Sequence, residues 1–304
     1  MKNVVQELRK NAPLYLMVVP GVVLFILFNY LPMAGIQVAF RHFSFRDGLF
    51  RSEWVGLENF RFFLTSSRVL RVVWNTFFLN LSFIVVHTVL QIAGALLLNE
   101  LRSSWYKRIT QSLTFLPYFV SWIIVSVFVY NLLNYDYGAL NRLLATLGFE
   151  PVAFYGRPEL WPVILILVDS WKWMGFGIII YLATLSGISP EYYEAATIDG
   201  ASRLQQIRHI TLPLLLPTVS ILSLLALGKV LNADFGMFYG IIGDNSVLFP
   251  TTDVVDTFVF RALRVLGDIG MASAVGFLQS IVGFFMVLGS NLAVRKLHPE
   301  GALF

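Results

Sequence analysis

The chain has 304 residues, of which 57% are hydrophobic and 13% charged; none is cysteine, and the formal charge is +4. A soluble domain of this length carries about twice that charged fraction, so a cytosolic enzyme is excluded; without cysteine, so are a disulfide framework, a thiolate metal site and a cysteine nucleophile. The small positive excess gathers on no single face, which argues against nucleic acid as a partner and leaves membrane lipid as the main surroundings.

A membrane-spanning helix needs about 20 apolar residues. Stretches free of Asp, Glu, Lys and Arg cover 11–40, 72–99, 109–135, 209–228 and 269–294, and a sixth, between Glu159 and Glu191, is interrupted only by Asp169 and Lys172. None alternates with the period of a barrel strand. The expectation is an all-α polytopic membrane protein, one transmembrane domain over 1–304, with helices near 14–36, 72–98, 110–133, 161–186, 211–231 and 271–293. The first stretch is too long for a signal peptide and lacks a small-x-small cleavage site, so it is expected to stay in the mature chain. Six helices place both termini on one side. The segments 1–12, 100–109, 187–210 and 295–304 are richer in Lys and Arg per residue than 41–68, 134–160 and 232–268, which puts the termini in the cytoplasm, although the first outer loop holds five arginines.

The second helix offers Asn75, Asn80, His87 and Gln91, which can bridge helices or touch a substrate. The fourth carries Asp169, Trp171, Lys172, Trp173 and Phe176. Ionisable groups are costly in hydrocarbon and point to a pathway, but Asp169 and Lys172 at i,i+3 can also neutralise each other, and the tryptophans can sit at the headgroups. Aromatic faces beside hydrogen-bonding groups are what a sugar needs, because its C–H faces pack on rings while its hydroxyls want directional partners.

After this helix comes SPEYYEAATIDGASRLQQIRHITLPLLLPT, residues 189–218. Ser189 suits an N-cap, Pro190 the first helical position, and Glu191 and Glu194 the positive end of a helix dipole. Gly200 provides a corner, and Leu204, Ile207 and Ile210 give an amphipathic turn leading back into the bilayer at Leu212-Pro213. Two short helices on the membrane surface are expected over 189–213. The fifth helix ends at Lys229, Asn232, Asp234 and Phe235; Lys229 has no opposite charge at i±3 or i±4 and either snorkels outward or faces the pathway. In the outer segment 232–268, Thr252 or Asp253 can cap an amphipathic helix.

The spacing Glu194-Ala195-Ala196, three residues, Gly200, nine residues, Ile210-x-Leu212-Pro213 resembles the EAA motif of permease subunits of binding-protein-dependent ABC importers. With NYLPMAGIQVAF at 29–40, WVGLENF at 54–60, LTFLPYFVSW at 113–122, LFPTTDVVDTFVFRA at 248–262 and ASAVGFLQS at 272–280, most of the chain is similar to the carbohydrate branch of that family, polysaccharide permeases in particular. The resemblance implies the type I importer permease fold in a bacterial inner membrane, with the loop as a coupling helix that docks into a cytoplasmic ATPase. Glu194, Ala195, Ala196, Asp199, Gly200, Ile210, Leu212 and Pro213 are the positions it assigns to coupling, and the stretches Trp171 to Phe176 and Asn232 to Phe235 fall near segments lining the sugar site in maltose permeases. It also implies two ABC ATPase subunits, a second homologous permease, an extracytoplasmic solute-binding protein and an oligosaccharide, acidic and uronate-like if both Lys172 and Lys229 face the cavity. The large periplasmic domain of the maltose permease has no counterpart here, so outer loops must meet the binding protein.

No G-x-x-x-x-G-K-[ST] loop is present, and LSGIS at 185–189 ends a membrane helix without a nucleotide fold around it. ATP and Mg belong to partner subunits; the chain is expected to bind no cofactor and to catalyse nothing. The four histidines, His42, His87, His209 and His298, are scattered, which speaks against a metal site. The rival function is an ion-coupled carrier using Asp169, but no inverted repeat is evident and the EAA spacing would be unexplained.

Overall fold

A run of apolar residues becomes a membrane helix only where its backbone can satisfy itself, and in this chain two of the six expected helices are interrupted where it cannot. The computed structural model describes residues 10–101 and 103–297. The segments 1–9 and 298–304, read from the sequence as cytoplasmic, and His298 lie outside the described residues. Among the described residues five helices are long and apolar enough to cross a membrane: α1 (Ala12–Phe40), α3 (Ser67–Asn99), α7 (Pro158–Ser186), α9 (Arg203–Leu227) and α12 (Ile269–Lys296). The sixth span is a bent pair, Ser104–Phe119 (α4) and Trp122–Leu133 (α5), meeting at 98°.

That bend corrects the expected straight helix over 110–133. Pro117 can donate no amide hydrogen, Val120 is extended, and Ser121 starts a new helix as its N-cap, accepting from the Ile124 amide. The fifth helix likewise ends at Leu227 instead of 231. A turn over Gly228 to Leu231 follows, and a further helix, α10 (Phe235–Ile242), starts at Asp234, whose Oδ1 accepts the Met237 amide at 3.2 Å. The segment after 232 is therefore not all surface loop: Met237, Phe238, Ile241 and Ile242 are buried with Val125 and Val129 of α5 and Trp161 and Leu165 of α7.

The chain divides into two compact units, one taking in residues through Thr65 with Arg261–Leu278, the other Ser66–Phe260 with Gln279 onward. In the first, α1 has no buried residue before Val38, as suits a helix facing lipid or a partner. A two-residue hairpin, β1 (Arg41–His42) antiparallel to β2 (Glu53–Trp54), precedes α2 (Glu58–Thr65). Asn59 of WVGLENF donates to the carbonyls of Ala39 and Arg41 at 3.0 and 2.9 Å, and Phe60 packs with Ala39 and Ala274.

In the second unit α3 and α7 form the central pair, brought close by glycine. A β-carbon on Gly94 would strike Ile178, and one on Gly177 would strike Gln91. The segment between α5 and α7 carries α6 (Ala139–Thr146) and is tied together by the buried amide of Asn141. Asn141 donates to the carbonyls of Asn134 at 3.1 Å, Tyr135 at 3.4 Å and Val152 at 3.0 Å, and its Oδ1 accepts the Val152 amide at 2.8 Å. Asn141→Ala leaves these buried groups unpaired, at a cost of about 2–3 kcal/mol. Limited proteolysis should then cleave between 134 and 160 in the variant while sparing the parent.

Later in the chain come α8 (Pro190–Ile198) and the amphipathic α11 (Val255–Leu266). The latter is anchored where Thr76 Oγ1 accepts the Val255 amide at 2.9 Å and Asn75 donates to the carbonyls of Pro250 and Asp253, both at 3.2 Å.

Candidate functional site

Two places gather the residues singled out by sequence. The first is the corner over 189–213. Ser189 caps α8, its Oγ accepting the Glu191 amide at 3.4 Å. Gly200 ends the helix at φ +80°, where a β-carbon is strained. The Ala201 amide reaches back to the Ala196 carbonyl at 2.8 Å and the Gly200 amide to Thr197 at 3.1 Å, the paired bonds of a Schellman closure. Ser202 and Gln205 then form a capping box that starts α9.

The two arms are cross-linked. Tyr193 Oη lies 3.1 Å from Thr211 Oγ1, and Gln206, itself buried, donates to Thr197 Oγ1 at 2.9 Å. A wider turn over Ile207–Thr211 absorbs the missing amide of Pro213, which with Leu212 opens the apolar part of α9. Ile210 is half-buried, whereas Leu212 and Pro213 are exposed. Of the remaining positions Glu194, Ala195, Asp199 and Gly200 are exposed and Ala196 half-buried. Ile198, 86% exposed, and Leu204, 75% exposed, make an apolar tip that nothing in the second unit covers. Beside it lies a depression of about 940 Å³ whose walls include Leu101, Ser186, Tyr193, Glu194 and Arg203. The corner is thus solvent-facing, apolar at Ile198 and Leu204 and acidic at Glu194 and Asp199.

The second place is a cavity of about 230 Å³ lined by Asn80, His87, Asp169, Trp173, Lys229, Asn232 and Asp234, among others. His87 Nε2 lies 3.1 Å from Asp169 Oδ2. The unwound segment after α9 is clamped from several sides: Asn80 donates to the Val230 carbonyl at 2.9 Å and Gln279 to Leu231 at 2.7 Å. Asp256 Oδ2 accepts the Ala233 amide at 2.8 Å and Gln279 Nε2 at 3.4 Å. Burial holds the Asp256 carboxyl above the usual carboxylate range, and the Ala233 amide partly opposes that shift. Trp122 Nε1 donates to Asp234 Oδ2 at 2.6 Å.

Five of the nine pathway candidates therefore meet in this cavity, and four do not line it. Trp171 is half exposed, Phe176 stacks on Tyr118 at 5.1 Å, and Phe235 packs against Tyr239 and Phe260. Lys172 makes no salt bridge with Asp169: its ammonium donates to the carbonyls of Pro117, Tyr118 and Val120, and the charges of Asp234 and Asp169 act on it from beyond contact. Gln91 and Asn75 bridge helices, while Asn80 and His87 also line the cavity. Trp122, Asp256 and Gln279 are not among the expected site residues, although each lies in one of the stretches that carry the family resemblance. Among the described residues no group of three or more His, Asp or Glu could hold a metal ion.

Comparison with known proteins bears on the family of the chain. Residues 88–289 match the family model described as binding-protein-dependent transport system inner membrane component. The chain is 35% identical over 300 residues to the polygalacturonan/rhamnogalacturonan transport system permease protein YteP of Bacillus subtilis, covering 99% of this chain and 93% of the relative. A chain in the crystal structure of a bacterial ABC transporter involved in the import of the acidic polysaccharide alginate superposes with a TM-score of 0.88 at 31% identity, covering 97% of this chain and 99% of that one. A second structure, of a bacterial alginate ABC transporter in complex with alginate pentasaccharide-bound periplasmic protein, gives 0.87 at 30% identity over 96% and 97%. The chain belongs to the binding-protein-dependent transport system inner membrane components, the non-catalytic permease subunits of ABC importers.

Proposed function

We propose that this chain is one of two homologous permeases of an importer that carries an acidic, uronate-type oligosaccharide across the bacterial inner membrane. A solute-binding protein delivers the sugar on the outer side, and two ATPase subunits, holding ATP and Mg, drive its passage from the cytoplasmic side, where both termini lie. The observation that carries this reading is the corner over 189–213, a capped, cross-linked and solvent-facing element that an isolated carrier has no use for. Glu194, Ala195, Ala196, Asp199 and Gly200 form its docking face, and Ile210, Leu212 and Pro213 pass its motion to α9. The small side chains of Ala195 and Ala196 admit a partner closely, and Glu194 offers a charge-assisted hydrogen bond to an arginine.

The sugar's path runs past Asp169, Trp173, Lys229, Asn232 and Asp234. Lys229, exposed on the cavity wall, is the cation available to a uronate, and the likeness to an alginate importer and to a polygalacturonan permease supports an acidic cargo. The test is uptake by the complete importer in proteoliposomes, with labelled oligogalacturonate and an uncharged oligosaccharide of equal length. Uptake should require ATP and the binding protein, and Lys229→Gln should cut entry of the acidic sugar about ten-fold, the loss of one charge-assisted contact. Accumulation by this chain alone under a proton gradient would instead establish the ion-coupled carrier.

A further inference from the structure

A buried ammonium needs three acceptors. Lys172, in the middle of α7 and 5% exposed, makes no salt bridge among the described residues, although Asp234 and Asp169 attract it from beyond contact. Its Nζ donates instead to the carbonyls of Tyr118 at 3.0 Å, Pro117 at 3.4 Å and Val120, all at the break between α4 and α5. These lie where a helix has ended: the Pro117 carbonyl also accepts the Val120 amide at 3.1 Å, while those of Tyr118 and Val120 rely on the ammonium, because a carbonyl left without a donor is costly at membrane depth. The same ammonium stands 5.2 Å from the ring centre of Trp122, the first residue of α5, whose indole donates to Asp234 on the cavity wall. Three residues along α7, Gly175 lets the backbone of Thr114 and Phe115 lie directly against the helix.

We propose that Lys172 is a positioning residue and not a sugar ligand: its ammonium holds the broken third span at its angle and, through Trp122, sets Asp234 at the cavity. A lysine suits this place because one compact charge with three protons can serve three converging carbonyls, whereas the planar fork of arginine serves two in parallel.

The inference rests on the transport reading only for its uptake measurement; its distance measurement stands without it. Because the chain has no cysteine, cysteines introduced at Ser112 on α4 and Phe128 on α5, both exposed, can carry a pair of spin labels in the assembled importer. Lys172→Met should shift and broaden the distance distribution between them. Uptake of acidic and uncharged oligosaccharides should fall together, by roughly ten-fold or more. Lys172→Arg, keeping the charge and some of the donors, should restore part of both. An unchanged distance distribution in Lys172→Met, with uptake lost for the acidic sugar alone, would make Lys172 a substrate ligand and overturn the proposal. If Lys172→Met does not assemble, Lys172→Gln is read in the same two ways, and an unshifted distance there overturns it equally. A parent importer that moves no sugar would count against the function and leave the distance result intact.

Discussion

Replacing Glu194 with arginine, or Gly200 with valine, is expected to abolish ATP-driven uptake while the chain still inserts and folds in the membrane. Both positions are exposed, so neither change opens a cavity or removes a core contact. Valine at φ +80° is strained by about 1–2 kcal/mol. The strain is relieved by unwinding the Schellman closure, which redirects the second arm of the corner. Arginine at 194 puts a cation where the docking face offers an anion. Reversing a docking charge costs about 3 kcal/mol of association, or roughly a hundred-fold in affinity. The ATPase subunits should therefore fail to copurify with Glu194→Arg. Gly200→Val should retain weak attachment with uncoupled hydrolysis, and Gly200→Ala should fall between it and the parent. Uptake and copurification unchanged in both severe variants would remove the docking role.

Gly175→Val should prevent the second unit from forming at all. A side chain at 175 meets the backbone of Thr114 and Phe115 and no flexible tip, so α7 and α4 would have to part. Separation would also pull Lys172 from the three carbonyls it serves. Overpacking alone costs about 1–3 kcal/mol, and stranding an ammonium with its acceptors adds about 3 kcal/mol or more. Gly177→Ala is the informative contrast. It meets the side chain of Gln91, which can rotate away at the price of one hydrogen bond to the Trp173 carbonyl, about 1 kcal/mol. Thermal unfolding in detergent should rank the parent above Gly177→Ala, with Gly175→Val yielding no folded protein. Equal stability of Gly175→Val and parent would mean the α4–α7 contact is not as close as described.

The corner was legible in the sequence because its determinants are local. Ser189, Pro190 and Gly200 act within a turn of where they stand, and each does in the fold what its chemistry favours. The spans were legible from their apolar length, except where the backbone breaks. At 116–121 the proline was visible, but the group that makes a 98° bend tolerable is Lys172, more than fifty residues away. The same distance hides from the sequence that Lys172 reaches those carbonyls, while Asp169, its neighbour on the helix, turns to His87 on α3. The early end of the fifth helix is not legible in the sequence for a related reason. Gly228 to Asp234 is as apolar as many helix ends, and its clamps, Asn80, Gln279 and Asp256, come from three other elements.

The most direct test of the central claim uses a single cysteine at Ala195, at the exposed face of the corner, unique in a chain that has none of its own. In the complete importer a short bifunctional reagent should join it to an ATPase subunit, and ATP binding should change the yield. A cysteine at 195 that stays open to aqueous maleimide and joins no ATPase subunit, in an importer that still hydrolyses ATP and moves sugar, would contradict the account.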